Sequence, residues 1–375
     1  MTEGGERQRA VARSTQLNVA IIGAGAIACG SAALIEAAGH CAGLWSPSGR
    51  STAALARDGS LTYSGVMTGA THPAVIADLT EVGGYDVVLI AVPANGHRAV
   101  MERLAPHLES RHTVIVSGAL SLSPLYLSKL VCARGVRPAI ASFGTTVLTA
   151  RKTSGAAVSI NVLRARLDVA AIPVSEGTRA LDVCKSLFGD RFDLAASSLA
   201  IALVNINPVA HAGLALANLT RIEFGEFWPQ YRYLTPAVAR LIEGLDAERR
   251  AVAAAFGLTV RTIEQHFEHS FDLPRAPLAE QAALLHERRG GPPGPTALDT
   301  RFVLEDAPFG LGFTAAVARI ARVPVPLTDA CLDVLSALWG RDLRADNDIL
   351  PALDLGAQDA VALARLAAEG FAARR

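Results

Sequence analysis

The stretch VAIIGAGAIACGSAALIEAAGH, from Val19 to His40, decides the fold of this chain. It opens as an apolar run typical of a buried strand, passes through Gly23 and Gly25, and continues as an alanine-rich segment typical of a helix. The pattern G-x-G-x-x-A gives a tight turn at the first glycine and a close approach of the backbone to a ligand at the second. A strand, this turn and a helix predict a Rossmann-type unit that binds a dinucleotide.

The expected cofactor contacts lie at the start of the predicted helix. Backbone N–H groups there, together with the helix dipole, favour a pyrophosphate. Ala28 stands where the pattern allows a third glycine, a position that serves packing of the helix on the strand. The cofactor-binding residues predicted from the loop are Gly23, Gly25, Ala26, Ile27 and Ala28. The competing interpretation is a glycine turn in an α/β protein that binds no cofactor.

The sequence WSPSGRST, from Trp45 to Thr52, bears on the choice of cofactor. Enzymes that prefer NAD place an Asp or Glu about 20 residues after the glycines, where it binds the ribose hydroxyls. No acid stands here, whereas Ser46, Ser48 and Arg50 offer donors for a 2′-phosphate. The loop therefore predicts NADPH over NADH, against the alternative of an ordinary polar loop with an exposed arginine.

The composition favours a globular protein that acts on small molecules. With 375 residues, of which 51% are hydrophobic and 19% charged, the chain can bury the cores of two domains. The 35 basic residues balance 35 acidic residues, so charge gives no reason to expect nucleic acid or an anionic membrane as a partner. No uncharged run is expected to approach the length of about 20 apolar residues that spans a bilayer.

The cysteines and the N-terminal residues bear on location. The five cysteines are odd in number, scattered and never paired as C-x-x-C. This spacing argues against disulfides and a zinc site, so no metal is predicted and a reducing cytoplasm is expected. The first sixteen residues carry charges of both signs and lead into a stretch broken by glycines, unlike a signal peptide. We expect them to form a terminal tail.

Short apolar runs alternate with helical stretches up to about residue 190, which predicts a mostly parallel sheet covered by helices. The predicted strands are Asn18–Ile22, Cys41–Trp45, Asp86–Val92, Thr113–Ser117, Pro138–Ser142, Ala156–Ile160 and Leu167–Ile172. The predicted helices of the second half lie in Leu199–Leu219, Pro236–Phe256, Pro277–Arg288 and Asp329–Trp339. We expect an α/β dinucleotide-binding domain over residues 1–191 and an all-helical domain over residues 192–375, with the active site between them.

Four segments of the helical half occur together in one known family. They are NINPVAHAGLALANLTRIE (Asn205–Glu223), YRYLTPAVARLIEGLDAERRAVAAAFG (Tyr231–Gly257), TRFVLEDAPFG (Thr300–Gly310) and WGRDLRADNDILPALDLG (Trp339–Gly356). With the glycine loop, they resemble the opine dehydrogenase family of octopine and nopaline type, over nearly the whole chain from about Asn18. The resemblance implies NAD(P)H dependence and a C-terminal helical domain like that of 6-phosphogluconate dehydrogenase.

Members of that family condense the amino group of an amino acid with a 2-keto acid and reduce the product to an N-(carboxyalkyl) amino acid. The resemblance implies that His211, in the N-x-x-x-H context of Asn207, is the catalytic histidine and pairs with Asp306 of the R-x-x-x-E-D motif. It also implies that Arg301 binds a substrate carboxylate, and Asn207 is expected in the substrate site. An amino acid and a 2-keto acid are thus the expected partners, and a homodimer is left open.

The residue types suit these roles. His211 lies four positions after Asn207 on one helical face, and Pro208 either starts that helix, with Asn207 as its cap, or kinks a longer one. An aspartate bonded to one imidazole nitrogen fixes the tautomer and raises the basicity of the ring. The alternatives are a buried structural histidine at position 211 and a surface ion pair between Arg301 and Glu305.

The segment LIAVPANGH, Leu89 to His97, ends a predicted strand of the sheet. The family has a Val-Pro-Ala segment at this place, which implies that Val92, Pro93 and Ala94 flank the nicotinamide. A buried strand end would have the same pattern, so both interpretations stand.

Three alternatives to opine dehydrogenase activity stay open. A 2-keto acid reductase of ketopantoate reductase type would share the glycine loop and the helical domain, but normally uses a catalytic lysine, which Asn205–Glu223 lacks. A non-catalytic dinucleotide-binding sensor would not turn over NADPH. A structural protein of this fold would need neither His211 nor Asp306. The chain also departs from the family pattern at Ala26 and at Ser117-Gly118. The resemblance therefore does not predict which amino acid and which 2-keto acid are used.

Overall fold

The computed structural model describes residues 16–372, so the predicted terminal tail lies almost wholly outside the described part of the chain. Strands β1 to β12 are Asn18–Ile22, Cys41–Trp45, Leu61–Gly65, Gly69–Thr71, Ala74–Val75, Val87–Ile90, Thr113–Ser117, Ala139–Phe143, Leu148–Ser154, Ala157–Leu163, Leu167–Ile172 and Phe192–Leu194. Helices α1 to α16 are Ala26–Ala37, Ala53–Asp58, His97–Leu104, Ser123–Cys132, Gly177–Phe188, Ser198–Val204, Asn207–Ala217, Leu219–Glu223, Pro236–Ala255, Ile263–Phe271, Leu278–Arg289, Arg301–Leu304, Gly312–Ala321, Pro326–Trp339, Ile349–Leu353 and Ala360–Glu369.

Eight strands form the main sheet, in the order β12-β11-β8-β7-β6-β1-β2-β5. Neighbouring strands are parallel, except that β11 runs antiparallel to β8. From β1 the chain continues to β2 on one side, whereas β6 pairs on the other side, so the strand order reverses between β1 and β6. Ligands of open α/β sheets bind at such a switch point, beyond the carboxyl ends of the strands. The predicted Rossmann-type sheet is confirmed.

Helix α1 lies between the main sheet and a second sheet of four strands, in the order β4-β3-β10-β9. Eight consecutive residues of this helix, from Ala28 to Ile35, are buried. A Cβ added at Gly30 would come within 2.9 Å of the Leu148 side chain on β9. The run of small residues in Val19–His40 therefore allows close packing on two sides of the helix as well as the glycine turn.

The second half of the described chain is helical, and α7 packs at its centre against α9 and α12. A Cβ added at Gly213 of α7 would lie 2.5 Å from the Ile242 side chain of α9. The two helices therefore approach each other closely, and a larger residue at position 213 would push them apart.

A buried ion pair fixes the start of α10 against α9. Arg249 Nε donates to Asp246 Oδ1 at 2.9 Å, and Arg249 Nη2 donates to the Arg261 carbonyl at 2.6 Å. Asp246 Oδ2 in turn accepts from the Ile263 amide at 3.2 Å. Because both charges are paired and hydrogen-bonded, this pair can stay ionised in the core and hold α10 in place.

The predicted strands differ from the observed ones mainly outside the main sheet. Strands β1, β2, β7 and β11 have the predicted bounds, whereas β6 is shorter than predicted and β8 begins one residue later. Apart from β10, the second sheet is not predicted, because β3, β4 and β9 are short or largely exposed. Strand β12 lies beyond residue 191, so the sheet extends past the predicted boundary.

The segment Ser198–Ala217 is long and apolar enough to cross a membrane by length and composition. The expectation that no run approaches that length is therefore wrong. In the structure 67% of the tested window is buried inside the protein, and helical structure is interrupted at Asn205 and Ile206. The segment thus supplies core helices α6 and α7 on either side of a break.

Candidate active site

A cavity of about 910 Å³ lies between the carboxyl ends of β1, β6, β7 and β8 and the helical half of the chain. The sheet side is lined by residues 25–27, 91–93, 117–118 and 144–146. The helical side includes Asn207 and His211 from α7, His266 from α10 and Arg301 from α12. The cavity therefore joins the switch point of the sheet to the histidine and arginine singled out in the sequence.

The glycine loop has the geometry that a dinucleotide requires. Gly23 has a φ of 137° and donates its N–H to the Trp45 carbonyl at 2.9 Å, and a Cβ there would lie 2.5 Å from the Ala91 oxygen. A Cβ on Gly25 would meet nothing within 4 Å. Helix α1 begins at Ala26 with neither a side-chain cap nor an acid in its first turn. The space and the uncapped helix end fit a pyrophosphate.

A second cavity, of about 630 Å³, lies at the carboxyl end of β2 and includes Ser46 and Ser48. The Ser46 hydroxyl is buried and has no hydrogen-bond partner in the described part of the chain, so a cofactor hydroxyl or phosphate could supply one. Arg50 is not among the lining residues, and its Nε reaches the Ser48 hydroxyl at 3.4 Å. Arg103 of α3 does line this cavity, with its guanidinium carbon 4.9 Å from the centre of the Trp45 ring.

His211 and Asp306 form the hydrogen-bonded pair that the family resemblance implies. His211 Nδ1 lies 2.7 Å from Asp306 Oδ2, with side-chain exposures of 15% and 0%. The Phe302 ring stacks on the imidazole, with 3.7 Å between ring centres and 5° between planes. Since Nδ1 is engaged by the carboxylate and the residue lines the cavity, Nε2 is the nitrogen available to a substrate.

Two local features bring this pair together. Pro208 is the second residue of α7, so of the two alternatives the structure has the one in which Pro208 starts a helix. Asn207 is the first residue of that helix, and Ile206 is at the cap position. The side chain of Asn205 instead accepts from the Asn207 amide at 3.0 Å. After Asp306 the chain forms a π-helical turn over Ala307–Leu311.

Contact between this turn and α7 sets the spacing of the pair. A Cβ added at Gly310 would overlap the ring of Pro208. The first turn of α7 therefore rests directly on the turn that follows Asp306. The absence of a side chain at position 310 lets His211, one turn along α7, approach the carboxylate.

Arg301 is placed between the cavity and two carboxylates. Its Nε lies 3.5 Å from Glu305 Oε2 and 3.7 Å from Asp306 Oδ2, and 56% of its side chain is exposed. The proposed surface pair with Glu305 therefore exists, yet both residues also line the cavity. Burial raises the pKa of the Glu305 carboxyl, and the Arg301 charge opposes that rise.

Glu305 also links the two halves of the chain. Its Oε1 accepts from the Ala94 amide at 3.0 Å. Val92 and Pro93 line the cavity, whereas Ala94 is buried and is not among the lining residues. Glu305 thus ties the segment that follows β6 to the helical half. Glu305 was not singled out from the sequence as a functional residue.

Most of the predicted site residues line one of the two cavities, and the others, apart from Arg50 and Ala94 described above, support the site from behind the lining. Those that line one of the two cavities are Gly25, Ala26, Ile27, Ser46, Ser48, Val92, Pro93, Asn207, His211 and Arg301. Gly23 shapes the loop, Ala28 is buried in the core, and Asp306 lies behind His211. Within residues 16–372 no group of three or more His, Cys, Asp or Glu is placed to hold a metal ion.

Several cavity residues were missed by sequence reasoning. The larger cavity is also lined by Arg164, Gln230, Tyr231 and His266, and His266 Nε2 lies 3.2 Å from the Ser270 hydroxyl. Burial, with nearby arginine charges, lowers the pKa of His266 to about 3, so its ring is neutral at physiological pH. No spacing pattern connects these residues, because they come from separate loops and helices.

Two family models match the chain. Residues 194–339 match the family described as NAD/NADP octopine/nopaline dehydrogenase, alpha-helical domain. Residues 19–118 match the ketopantoate reductase PanE/ApbA family. A protein named opine dehydrogenase from Arthrobacter sp. is 29% identical over 293 residues, which are 77% of this chain and 81% of the relative. D-nopaline dehydrogenase from Agrobacterium tumefaciens is 24% identical over 87% of this chain and 86% of its own length.

Solved structures show the same fold. An octopine dehydrogenase with NADH and L-arginine superimposes with a TM-score of 0.77 at 19% identity, over 93% of this chain and 98% of the other. Yersinopine dehydrogenase with NADP+ gives a TM-score of 0.70 at 21% identity, over 94% and 98%. A glycine loop at the switch point of the sheet, facing a His–Asp pair on the helical half, is the arrangement expected of a dinucleotide-dependent oxidoreductase. The resemblance is confirmed: the chain is an oxidoreductase similar to the opine and nopaline dehydrogenases, which act on CH–NH bonds.

Proposed function

We propose that this enzyme uses NADPH to reduce the imine formed between an amino acid and a 2-keto acid, which gives an N-(carboxyalkyl) amino acid. One observation carries the proposal: His211, bonded to the buried Asp306 at 2.7 Å, lines the same cavity as Arg301 and the start of α1. An acid–base pair, a carboxylate-binding cation and a pyrophosphate cradle are thus combined. Solved octopine dehydrogenases hold an amino acid, an amine or a 2-keto acid, namely L-arginine, agmatine or pyruvate, which supports this pair of substrate classes.

The chemistry assigns a task to each side chain. Arg301 holds a substrate carboxylate with its planar guanidinium, which orients the keto carbon in the cavity. As the amine adds, His211 Nε2 donates one proton to the keto oxygen and the amine nitrogen gives up a second, so the oxygen leaves as water and a protonated imine remains. Asp306 keeps the proton on Nδ1 and stabilises the imidazolium. The nicotinamide, when bound, supplies the hydride that reduces the imine carbon. The balance is amine, keto acid, hydride and proton giving a secondary amine and water.

A 2-keto acid reductase is the second candidate, because residues 19–118 match the ketopantoate reductase family. A ketopantoate reductase structure superimposes with a TM-score of 0.58 at 17% identity. Reductases of that type normally use a lysine, and among the described residues that line the larger cavity there is none. The lining favours the amine-dependent reaction.

The first test is whether oxidation of NADPH depends on an amine. With pyruvate as the keto acid, we expect turnover to rise at least about tenfold when an amino acid is added, because the imine is the species reduced. Mass spectrometry should then detect the secondary amine. Full turnover with keto acid alone and a hydroxy acid product would favour the reductase. A folded protein that binds NADPH and turns over no combination would favour a sensor.

The NADPH preference is the finer part of the proposal. Arg50, Ser46 and Ser48 follow β2, and Arg103 adds a second guanidinium from α3. Asp78 also lines this cavity, and the hydrogen bond from the Thr80 amide at 2.8 Å lowers the pKa of its carboxyl and so favours the anion. The positive charge of Arg103 offsets this anion in the same cavity. These donors support binding of a 2′-phosphate, whereas solved relatives are known with NADH and with NADP+.

Substitution of Arg50 tests this preference. In Arg50→Ala we expect KM for NADPH to rise about tenfold and KM for NADH to change little, because a charge-assisted contact to a phosphate contributes about 1.5 to 3 kcal/mol. Arg103→Ala is measured in the same experiment, because Arg103 supplies the second guanidinium at this cavity. Arg57→Ala is the matched control, since Arg57 is exposed and paired with Asp58. Equal losses with both cofactors, or a wild-type preference for NADH, would contradict the proposal.

The expected cytoplasmic location is also part of the proposal. All five cysteines are free, and four of them are buried. Burial raises the pKa of the Cys184 thiol to about 12, which keeps it unreactive. Unpaired cysteines are typical of a reducing compartment.

A further inference from the structure

Arg164 lies in the loop between β10 and β11 and lines the larger cavity. Its backbone N–H donates to the Val147 carbonyl at 3.0 Å, and its carbonyl accepts from Arg191 Nη1 at 2.6 Å. Its side-chain Nε donates to the Thr146 carbonyl at 2.9 Å. Within residues 16–372 the two Nη groups have no hydrogen-bond partner and no carboxylate in ion-pair range. The side chain thus presents a fixed guanidinium to the cavity.

Arg164 is the arginine of the cavity lining that pairs with no carboxylate of the described residues. Glu305 is the acidic residue among the described lining residues, and it is already engaged by Arg301 and the Ala94 amide. Burial lowers the pKa of the Arg164 guanidinium, Tyr231 opposes that fall, and the Arg301 charge adds to it. An arginine stays protonated even so. Arg301 thus has two carboxylates nearby, Glu305 at 3.5 Å and Asp306 at 3.7 Å, whereas Arg164 has none in ion-pair range among the described residues.

We propose that Arg164 binds the carboxylate of the amino acid substrate, while Arg301 holds that of the keto acid. This inference rests on the proposed function, whose product carries one carboxylate from each substrate. A guanidinium binds a carboxylate through two parallel N–H donors, and the two Nη groups of Arg164 are available for this. Phe267 and Phe271 also line this cavity and offer apolar surface to the side chain of the amino acid.

The test compares amino acids with the amines that lack their carboxylate. The pairs are L-norvaline with n-butylamine and L-phenylalanine with phenethylamine, each with pyruvate and NADPH. The wild type should prefer the amino acid by at least about tenfold in kcat/KM. In Arg164→Gln that ratio should fall by about tenfold through KM for the amino acid, with KM for NADPH and turnover of the amine retained. Arg166→Gln is the matched control, because Arg166 lies in the same loop and pairs with Asp193 at the surface.

The outcomes separate this inference from the proposed function. If the wild type reduces neither amino acids nor amines, the proposed function fails. If it reduces both and Arg164→Gln leaves the ratio unchanged, the assignment of Arg164 is overturned. A changed preference between pyruvate and 2-ketoglutarate, with the amine ratio unchanged, would also overturn it, because Arg164 would then read the keto acid. Should Arg164→Gln not fold, Arg164→Lys keeps the charge but loses the two-donor fork, and should lower the ratio by at least about threefold.

Discussion

Replacement of His211 by asparagine should lower kcat/KM by about 100-fold or more, while the fold and the affinity for NADPH are retained. Asparagine keeps a polar side chain of similar length on α7 but cannot take up and release a proton near neutral pH. General acid–base catalysis contributes about 10²- to 10⁴-fold in enzymes, so its loss should dominate the kinetics. The effect should lie mainly in kcat, because the proton moves in the reaction step.

The control for this variant is a histidine that does not face the cavity. His269 is exposed on α10 and is not a lining residue, so His269→Asn should keep normal turnover. Cofactor affinity can be followed by the fluorescence of bound NADPH, and folding by circular dichroism. A folded His211→Asn enzyme with nearly normal turnover would show that another group moves the proton.

Asp306→Asn is expected to lower kcat/KM by a similar factor of about 100 or more. The carboxylate accepts the Nδ1 proton of His211 at 2.7 Å and offsets the charge that develops on the ring. An amide in its place can donate to Nδ1 instead, which would leave the proton on Nε2 in the wrong tautomer. The loss should therefore arise from a histidine held in place but wrongly protonated.

The stability of Asp306→Asn distinguishes this role from a structural one. Asp306 is fully buried, and its Oδ1 has no hydrogen-bond partner among the described residues. Since an unpaired buried carboxylate oxygen is unfavourable, the neutral amide should leave Tm unchanged or raise it. Asp299→Asn, at an exposed position, serves as the control. Unfolding of Asp306→Asn, or full activity, would contradict the assignment.

The sequence allowed the main sheet to be predicted because buried parallel strands are short, continuous apolar runs. Strand β1 and strand β2 match their predicted bounds for this reason. The exposed strand β9, Leu148–Ser154, contains arginine and lysine and has no such signal. Tertiary pairing with β10 makes it a strand, and local sequence does not contain that information.

The residues of the candidate site also differ in how far local sequence predicts them. The pairing of His211 with Asp306 could be predicted, because each stands in a local motif and the resemblance pairs them. The positions of Arg164 and Glu305 on the cavity wall could not be predicted, because they depend on which segments meet across the cavity. Arg50 was predicted from the sequence to bind the cofactor, but it is not among the residues that line the cavity after β2. Arg103 from α3 was not predicted and does line that cavity.

The contact between Pro208 and Gly310 has a consequence for how this enzyme can diverge. A side chain at position 310 would occupy the volume of the proline ring, with its Cβ overlapping Pro208 Cγ and Cβ, so a change at that position alone would force α7 and the turn apart. Because every residue except glycine keeps a Cβ at position 208, divergence there requires a backbone shift or a matched change at both positions. A mutagenesis library that seeks new substrates should therefore vary the two positions as a pair and leave them fixed when only the cavity walls are changed.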